Sequence, residues 1–559
     1  MALSEKKVLW LILALAFLVR VPSIVHGLPN LFFLDEFVHT ASAFKMLAAK
    51  SPFLSFSYLP PLMSYIVAIP IGLFGSLGMV FGAWQGVVGF QEFVLFNGGY
   101  LVIFSRLVSM IFGVATVWLI YVSARKRFGR WIALFSAALL SVEYLHVLES
   151  QAGRFWSAIT FMFLFALYSL WRARESGHAR WFVCAALSIG LGYGFGFGTL
   201  FLIPWFLVAA FLAYRSNRSC GMIRTIAASA LLVLVLFVFF SAANAYSFGR
   251  QFGRMMNTVL NPIGVHVPVE AASDQNAELA LSQNVRHMLV DGFASGFPIV
   301  TILFSVGVVL FLRRGAPRSF LSDTAVFLIY FPILYLCMLP FVFNSVNIRY
   351  ILPAIPPIII IALYALAELS RYFPKRMRLA FLSFILLVLF LPRLYTIVRH
   401  DARLLRQDTR ELAIDWIQTH IPSGAAIVTN IEDFDLWLIP NKEGISFKET
   451  VTPDRIRTRD TYLAGLPESP APSYLLIDSQ YAKDWKRAIV GHDPLYAVRG
   501  YLSPADEDLF LEMPLKPLAL FYPASGETVA KFAEEDIFIY HFIDSRARYG
   551  PYVDIYAVN

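Results

Sequence analysis

LFFLDEFVHTASAFKMLAAK, residues 31 to 50, stands between a first apolar run and a second, and its reading decides what kind of fold the chain makes. The run before it, VLWLILALAFLVRVPSIV, approaches the length of about 20 residues that a membrane span needs. The acidic pair Asp35 and Glu36 therefore sits at the mouth of a span. Two carboxylates beside hydrocarbon are costly unless solvated or paired, which makes them a candidate active centre. A solvated helix start explains them equally well, because acids in a first turn are stabilised by the helix dipole. The rest of the chain has to decide between these readings.

Composition bounds the class. The chain has 559 residues, 58% hydrophobic and 15% charged, with a mean hydropathy of +0.63. That is a polytopic membrane protein, not an ordinary soluble domain. The formal charge of +8 does not point to nucleic acid, since the Lys and Arg residues lie in short clusters between apolar runs, as orientation signals do. Cys184, Cys220 and Cys337 lie in or between apolar runs, so no disulfide framework is expected. MALSEKK and the run after it resemble a signal sequence, but no A-x-A-like cleavage site follows, and the run is expected to remain as the first span.

Apolar runs and basic clusters together give a topology. SEKK sets the N-terminus in the cytoplasm, so the first span, residues 8 to 25, delivers Asp35 to the outer face. The span at 100 to 123 ends in ARKRFGR, which belongs in the cytoplasm. Residues 61 to 99 must then begin and end outside, and are expected as juxtamembrane or re-entrant helices broken by Pro60, Pro61 and repeated glycines. Further spans follow at 131 to 148, 155 to 171, a hairpin at 181 to 214 turning on GYGFGFG, and 225 to 246. A polar outer loop runs to about 295, followed by a span ending at RRGAPR and spans at 321 to 343, 350 to 370 and 378 to 397. The expected fold is an α-helical polytopic bundle of about eleven transmembrane helices over residues 1 to 397, every basic loop on one side. Residues 398 to 559 are expected as an extracytoplasmic α/β domain: TRELAIDWIQTHIPSG reads as an amphipathic helix, AAIVTN and SYLLIDS as strands.

On this topology Asp35 and Glu36, the loop from His146 to Arg154, the 247 to 295 loop and Arg349-Tyr350 converge on the outer face. A group transfer needs a base for the acceptor and cations for the leaving group, and both kinds are present. Arg349, where a span begins, is placed to hold a phosphate oxygen at the bilayer surface, or to snorkel to headgroups. Arg106 lies inside its span, where an arginine faces protein or a polar cavity, and is a candidate for the donor site. Asp35, Glu36 and His39 share a helix face, on which Asp35 and His39 could coordinate a divalent ion with a loop ligand such as His266 or Glu270; a hydrogen-bonding His39 is the plainer alternative. No cofactor is otherwise indicated.

The D-E pair after the first span, then YLPPL, then an arginine early in a span ending in ARKRFG, and finally RYILPAIPP resemble the GT-C membrane glycosyltransferases. Within them the pattern is similar to protein O-mannosyltransferases and lipid A aminoarabinose transferases. The resemblance implies a polyprenyl-phosphate-linked sugar donor, a lipid, glycan or protein acceptor, surrounding membrane lipids, transfer on the outer face and inversion at the anomeric carbon. It implies a multi-pass protein of a bacterial inner membrane, with Asp35 as general base, Glu36 orienting the acceptor or supporting Asp35, and Arg349 with Tyr350 at the lipid phosphate, alongside Arg106 and Arg154. His39, His146 and Glu149 are auxiliary candidates. One departure stands out: where members often carry an aspartate shortly after an arginine, this chain reads ESQAGRFWSA, keeping Arg154 but offering Trp156, with Glu149 one turn earlier as a substitute acid. The absence of a WWDYG-like motif argues against the oligosaccharyltransferase branch. The competing class is a multi-span transporter or flippase, in which buried charges line a substrate path; no paired halves are seen.

Overall fold

The computed structural model describes residues 4–30, 36–53, 60–216, 220–243, 285, 286, 288, 298–314, 325–342, 347–431, 438–451, 457–479, 493–501, 515–522, 549 and 551–558. The first apolar run forms α1 (Glu5–Leu18), whose start is capped by Ser4, its hydroxyl accepting the Lys7 N–H at 3.4 Å. The acidic stretch follows as α2 (Glu36–Ala49). Next come α3 (Leu62–Val80) and α4 (Gly86–Asn97), a helical hairpin in which Trp84 folds back, its Nε1–H donating to the Gly75 carbonyl at 3.0 Å and its ring packing on Phe74, Phe90 and Phe93. The hairpin starts beside α2, where Ser64 Oγ lies 3.5 Å from His39 Nδ1, and ends beside it, where Gly98 packs on Phe44. By length and composition α3 is itself able to cross a membrane, although the charge pattern leads one to expect juxtamembrane or re-entrant helices over residues 61 to 99.

The long helix α5 (Val102–Ser141) is two limbs meeting at Gly129, whose φ of 85° and ψ of 174° lie in a region open to glycine almost alone. The second limb ends at Ser141, earlier than the span expected to reach 148. Glu143 stops it: its carboxylate accepts the N–H groups of Leu145 at 3.2 Å and His146 at 2.8 Å and starts a short helix, α6 (Tyr144–Gln151). Then follow α7 (Trp156–Ser176), α8 (Arg180–Phe195), α9 (Ile203–Ser216), α10 (Cys220–Ala243), α11 (Pro298–Arg314) and α12 (Phe331–Val342). A 3-10 turn at Ile348–Ala354 leads into α13 (Ile355–Leu369), which is buried almost all round. The last bundle helix, α14 (Lys375–Leu404), runs beyond the expected end at 397. Among the described residues eight helical stretches are long and apolar enough to cross a membrane, and Arg180–Phe195, Pro298–Arg313 and Phe327–Pro340 are shorter apolar helices. The chain is a multi-pass membrane protein.

The bundle has two chemically different ends. Along the first limb of α5, Arg106 and Arg125 are separated by about 28 Å at 1.5 Å per residue. At the Arg125 end charges pair with one another: Arg125 with Glu5, Lys126 with Glu175 at 2.8 Å, Arg172 with Glu175 at 2.7 Å, and Arg371 with Glu368 at 2.9 Å. At the Arg106 end lie the starts of α2 and α7, all of α6, the turn at Ile348–Ala354 and the C-terminal half of α14.

Beyond α14 the chain builds an α/β unit. Asp408, fully buried, caps α15 (Thr409–His420), accepting the Arg410 N–H at 2.9 Å. A five-stranded sheet of order β2-β1-β3-β5-β4 follows, with β1 (Ala426–Thr429) parallel to both β2 (Leu475–Asp478) and β3 (Leu495–Tyr501). Strand β5 (Tyr552–Val558) pairs antiparallel with β3 and β4 (Leu515–Phe521). The AIVT strand is buried at every position, as a central parallel strand covered on both faces should be. Two short helices, α16 (Lys442–Val451) and α17 (Thr458–Ala464), complete it, and Tyr462 of α17 donates its O–H to Glu92 of α4 at 2.8 Å, tying the unit to the α3–α4 hairpin.

Because Gly129 sits where any Cβ is strained, Gly129→Ala should cost about 1–3 kcal/mol. Denaturant unfolding of the detergent-solubilised protein measures it, and an unchanged midpoint would show the two limbs can meet otherwise.

Candidate functional site

The site is built around Arg106 and Glu36, both almost fully buried. The guanidinium and the carboxylate meet in a two-point fork, Nε to Oε1 at 3.0 Å and Nη2 to Oε2 at 2.7 Å. A third donor, the Gly153 N–H, reaches Oε1 at 2.7 Å. The remaining face of the guanidinium is taken up by backbone: Nη1 donates to the carbonyls of Ser23 at 2.7 Å, Ile24 at 3.2 Å and His26 at 2.8 Å. A buried charge pair survives only with its other hydrogen-bonding capacity filled, and here it is. Arg106, expected at the donor, is thus committed to joining α5, the start of α2, the 23–26 turn and the α6–α7 loop.

That loop is seated by a stripe of small residues on α5. Ser109 Oγ donates to the Arg154 carbonyl at 2.5 Å, and Ser157 Oγ donates back to the Ser109 carbonyl at 2.9 Å. A Cβ on Gly153 would collide with Ser105, so the close approach that lets its N–H reach Glu36 requires glycine. The four-residue spacing of Ser105, Ser109 and Gly113 is the sequence signal for this docking face, and it passes unread in the chain's pattern of apolar runs.

From this anchor an aromatic wall extends. His39, three positions after Glu36, sets its ring edge-on to Phe155 at 5.6 Å between centroids. Phe155 lies against Trp156 at 4.9 Å, and Trp156 against Tyr350 at 5.0 Å. The Arg349 guanidinium carbon stands over the Trp156 ring at 5.8 Å. Asn347 fixes this last segment, its Oδ1 accepting the Arg349 N–H at 3.1 Å, while the Tyr335 hydroxyl donates to the Tyr350 carbonyl at 2.8 Å. Phe155, Trp156, Arg349 and Tyr350 are half-buried, whereas His39 is enclosed and burial pushes its imidazole down to about 4.

Among the expected residues, the structure thus joins Glu36 directly to Arg106, and His39, through Phe155 and Trp156, to Arg349 and Tyr350. Arg154 pairs with Glu149, Nη1 to Oε1 at 3.5 Å, both buried. His146 turns away from the wall: its Nδ1 accepts from Arg20 Nη2 at 2.9 Å, and burial with the neighbouring cation holds it well below the usual imidazole range. Asp35, His266 and Glu270 lie outside the described residues. Among the described residues no three His, Cys, Asp or Glu side chains stand together as metal ligands; Glu36 is engaged by Arg106, and His39 offers one nitrogen to Ser64.

Sequence reasoning also missed a polar chain beneath the α6 helix. Gln151 donates to the Val19 carbonyl and to Asp401 Oδ1, each at 2.7 Å, and its Oε1 accepts from His400 Nε2 at 2.8 Å. With Nε2 donating, Nδ1 of a neutral His400 accepts from the hydroxyl of Tyr549. The Tyr549 ring packs edge-on to both His26 and His400. No local pattern announces partners so far apart in the chain.

Comparison with known proteins bears on the same region. Residues 94–243, which include Arg106, Gly153, Arg154 and Trp156, match the family model described as dolichyl-phosphate-mannose-protein mannosyltransferase. The chain resembles the GT-C membrane glycosyltransferases, as the motifs led one to expect. Among solved structures it is similar to ArnT from Cupriavidus metallidurans in the apo state, at 14% identity and TM-score 0.48, covering 98% of this chain and 97% of that one. It is also similar to the Archaeoglobus fulgidus oligosaccharyltransferase in the apo form, at 14% identity and TM-score 0.48, covering 78% and 63%. The S. cerevisiae Pmt1-Pmt2 complex bound to the sugar donor matches at 19% identity and TM-score 0.32, covering 44% and 33%. No curated protein matches by sequence.

Removing one partner of the buried pair, by Glu36→Leu or Arg106→Met, should cost about 3–5 kcal/mol, while the double variant carrying both substitutions should cost less than the sum. Unfolding of the four proteins of this cycle measures the coupling. His39 adds a pH signature. With the folded group near 4 and the unfolded one near 6.5, only the unfolded state binds a proton between those values, so the stability His39 contributes is complete above 6.5 and lost as pH falls toward 4. His39→Gln should flatten the acid limb of a melting-temperature profile; an unaltered limb would assign the acid loss to other groups.

Proposed function

We propose that the protein is a glycosyltransferase that moves a sugar from a polyprenyl-phosphate carrier to a hydroxyl acceptor on the outer face of the membrane. The observation that carries the reading is that the stretch matching a mannosyltransferase family, 94–243, is also the stretch that anchors Glu36 and supplies the wall beside Arg349. The outer-face assignment is supported by the basic residues gathered at the far end of the bundle, the end that belongs in the cytoplasm.

In this reading Asp35, the residue before Glu36, is the general base. The acceptor oxygen forms a bond to the anomeric carbon as the bond from that carbon to the phosphate oxygen breaks. The acceptor proton passes to Asp35, and the electron pair leaves with the polyprenyl phosphate. A single displacement inverts the anomeric centre. Charge accumulates on the departing phosphate, where a fixed cation helps most, and Arg349 with Tyr350 is assigned that place. Glu36 is assigned the supporting part, since its three-donor clamp fixes the start of α2. Arg106 is a positioning residue acting through Glu36, and the Arg154–Glu149 pair stiffens the loop beside them. The sugar's identity and the acceptor's class, whether lipid, glycan or protein, rest with the shape of the remaining site.

The test is sugar transfer by purified protein from a panel of radiolabelled polyprenyl-phosphate sugars in the presence of membrane extract. Asp35→Asn should lower turnover by about 10²–10⁴-fold with donor binding retained. Wild-type protein that binds a lipid-linked sugar but never transfers it would favour a transporter or flippase instead.

A further inference from the structure

Two polar atoms of α2, His39 Nε2 and Thr40 Oγ1, are enclosed by the protein and meet no hydrogen-bond partner among the described residues. A buried polar group left unmet has lost its hydration for nothing, and calls for an explanation. Thr40 is the sharper case. Thr116, Thr160 and Thr396, also within helices, donate to the carbonyl four residues back at 2.8, 2.8 and 2.9 Å, whereas Thr40 makes no such bond. We propose that His39 and Thr40 are substrate-binding residues, and that these two atoms receive an uncharged hydroxyl group of the sugar or of its acceptor. The proposal rests on the glycosyltransferase reading and adds to it two residues that the displacement itself does not use.

Helix geometry sets the two on the face that the clamp holds. At about 100° per residue, His39 falls about 60° to one side of Glu36 and Thr40 about 40° to the other, one turn along the helix. Arg106 and the Gly153 N–H fix Glu36, and with it the approach of this face to the α6–α7 loop. There the His39 ring meets Phe155 edge-on at 5.6 Å. Phe155 is half-buried and turns on its own χ angles, so it is the side chain to yield as a hydroxyl enters. With Arg349 at the phosphate, the hydroxyl is received two rings further along the same wall, past Trp156 and Phe155.

An uncharged hydroxyl is the group these atoms fit. Burial pushes the imidazole down to about 4, so at neutral pH His39 offers a phosphate no charge. A neutral imidazole has one donor and one acceptor nitrogen, and Nδ1 stands 3.5 Å from Ser64 Oγ, a hydroxyl that gives or accepts a hydrogen bond by turning. Nε2 is thereby open to either role, and Thr40 Oγ1 is capable of both. A ligand hydroxyl, one donor with two acceptor lone pairs, complements the pair in either arrangement.

The experiment compares His39→Phe and Thr40→Val, which remove the two polar atoms at nearly constant shape, with the wild-type chain in detergent. Binding is measured for bare undecaprenyl phosphate and for undecaprenyl phosphate carrying mannose, galactose, glucose or arabinose, and transfer is measured with membrane extract as the source of acceptor. If the ligand is a hydroxyl of the sugar, each variant should lower the affinity for the best-bound sugar lipid by about three- to tenfold and leave that for the bare carrier unchanged. If it is a hydroxyl of the acceptor, both lipid affinities should hold, and the amount of extract needed for half-maximal rate should rise by about three- to tenfold. In both cases the melting temperature of the unliganded protein should hold or rise, since each variant removes an unmet polar group. A lowered melting temperature with binding and transfer intact makes the pair structural and overturns the proposal. So does an equal loss of affinity for the bare carrier, or wild-type binding and transfer by either folded variant; Thr40→Val decides alone should His39→Phe not fold. Each of these outcomes leaves the transfer reaction in place. A wild-type chain that neither binds nor transfers any sugar of the panel overturns the glycosyltransferase reading, and the proposal with it.

Discussion

The enclosed pair of Arg106 and Glu36 is the constraint on which this end of the molecule depends. Removing a carboxylate and a guanidinium from water costs several kcal/mol per ion, and their attraction offsets this only in a good geometry with every other donor and acceptor satisfied. Satisfying them brings four separate segments together: the turn at 23–26 by its carbonyls, α2 by Glu36, α5 by Arg106 and the α6–α7 loop by the Gly153 N–H. None of the four can shift without taking a hydrogen bond from the buried pair. The acid at the membrane mouth is thus tolerated because it is paired, the alternative to solvation that hydrocarbon surroundings allow.

Once the loop is seated, the aromatic wall follows from chain connectivity. Phe155 and Trp156 come directly after the residues that dock on α5, so they face His39 on one side and the Arg349-Tyr350 segment on the other. The division between the bundle's ends has the same economy. Acid-base pairs close the end at Arg125 and Glu175, while the opposite end carries the buried Arg106–Glu36 and Arg154–Glu149 pairs and the half-buried rings.

Much of the architecture was legible because hydrocarbon thickness and basic clusters are local, one-dimensional signals. The hairpin at GYGFGFG, the strands AIVT and LLID and the amphipathic helix at Thr409–His420 all stand where periodicity put them. The break at Ser141 was not legible, because Glu143 ends a run that remains apolar in composition. In the site, Glu36, Arg106, His39 and Arg349 could be singled out as residues out of keeping with their surroundings. Which of them pair could not, since the bond between Glu36 and Arg106 depends on a three-dimensional packing of small residues that has no apolar period. Trp156 could be noticed only as a departure from a resemblance, and its contact with Arg349 needed coordinates. Asp35, His266 and Glu270 remain expectations of the sequence.

The donor chain from Tyr549 through His400 and Gln151 to Asp401 carries a consequence for biogenesis. Its links join residues 149 and 249 positions apart, and His26 is bonded across 378 positions to the Leu404 carbonyl. During synthesis the helices from α1 to α13 enter the membrane before either end of this chain exists. The contact between His400 and Tyr549 can form only once Tyr549 has left the ribosome. The floor under the α6 helix is therefore among the last parts of the molecule to set, and a nascent chain already threaded through the bilayer still lacks it.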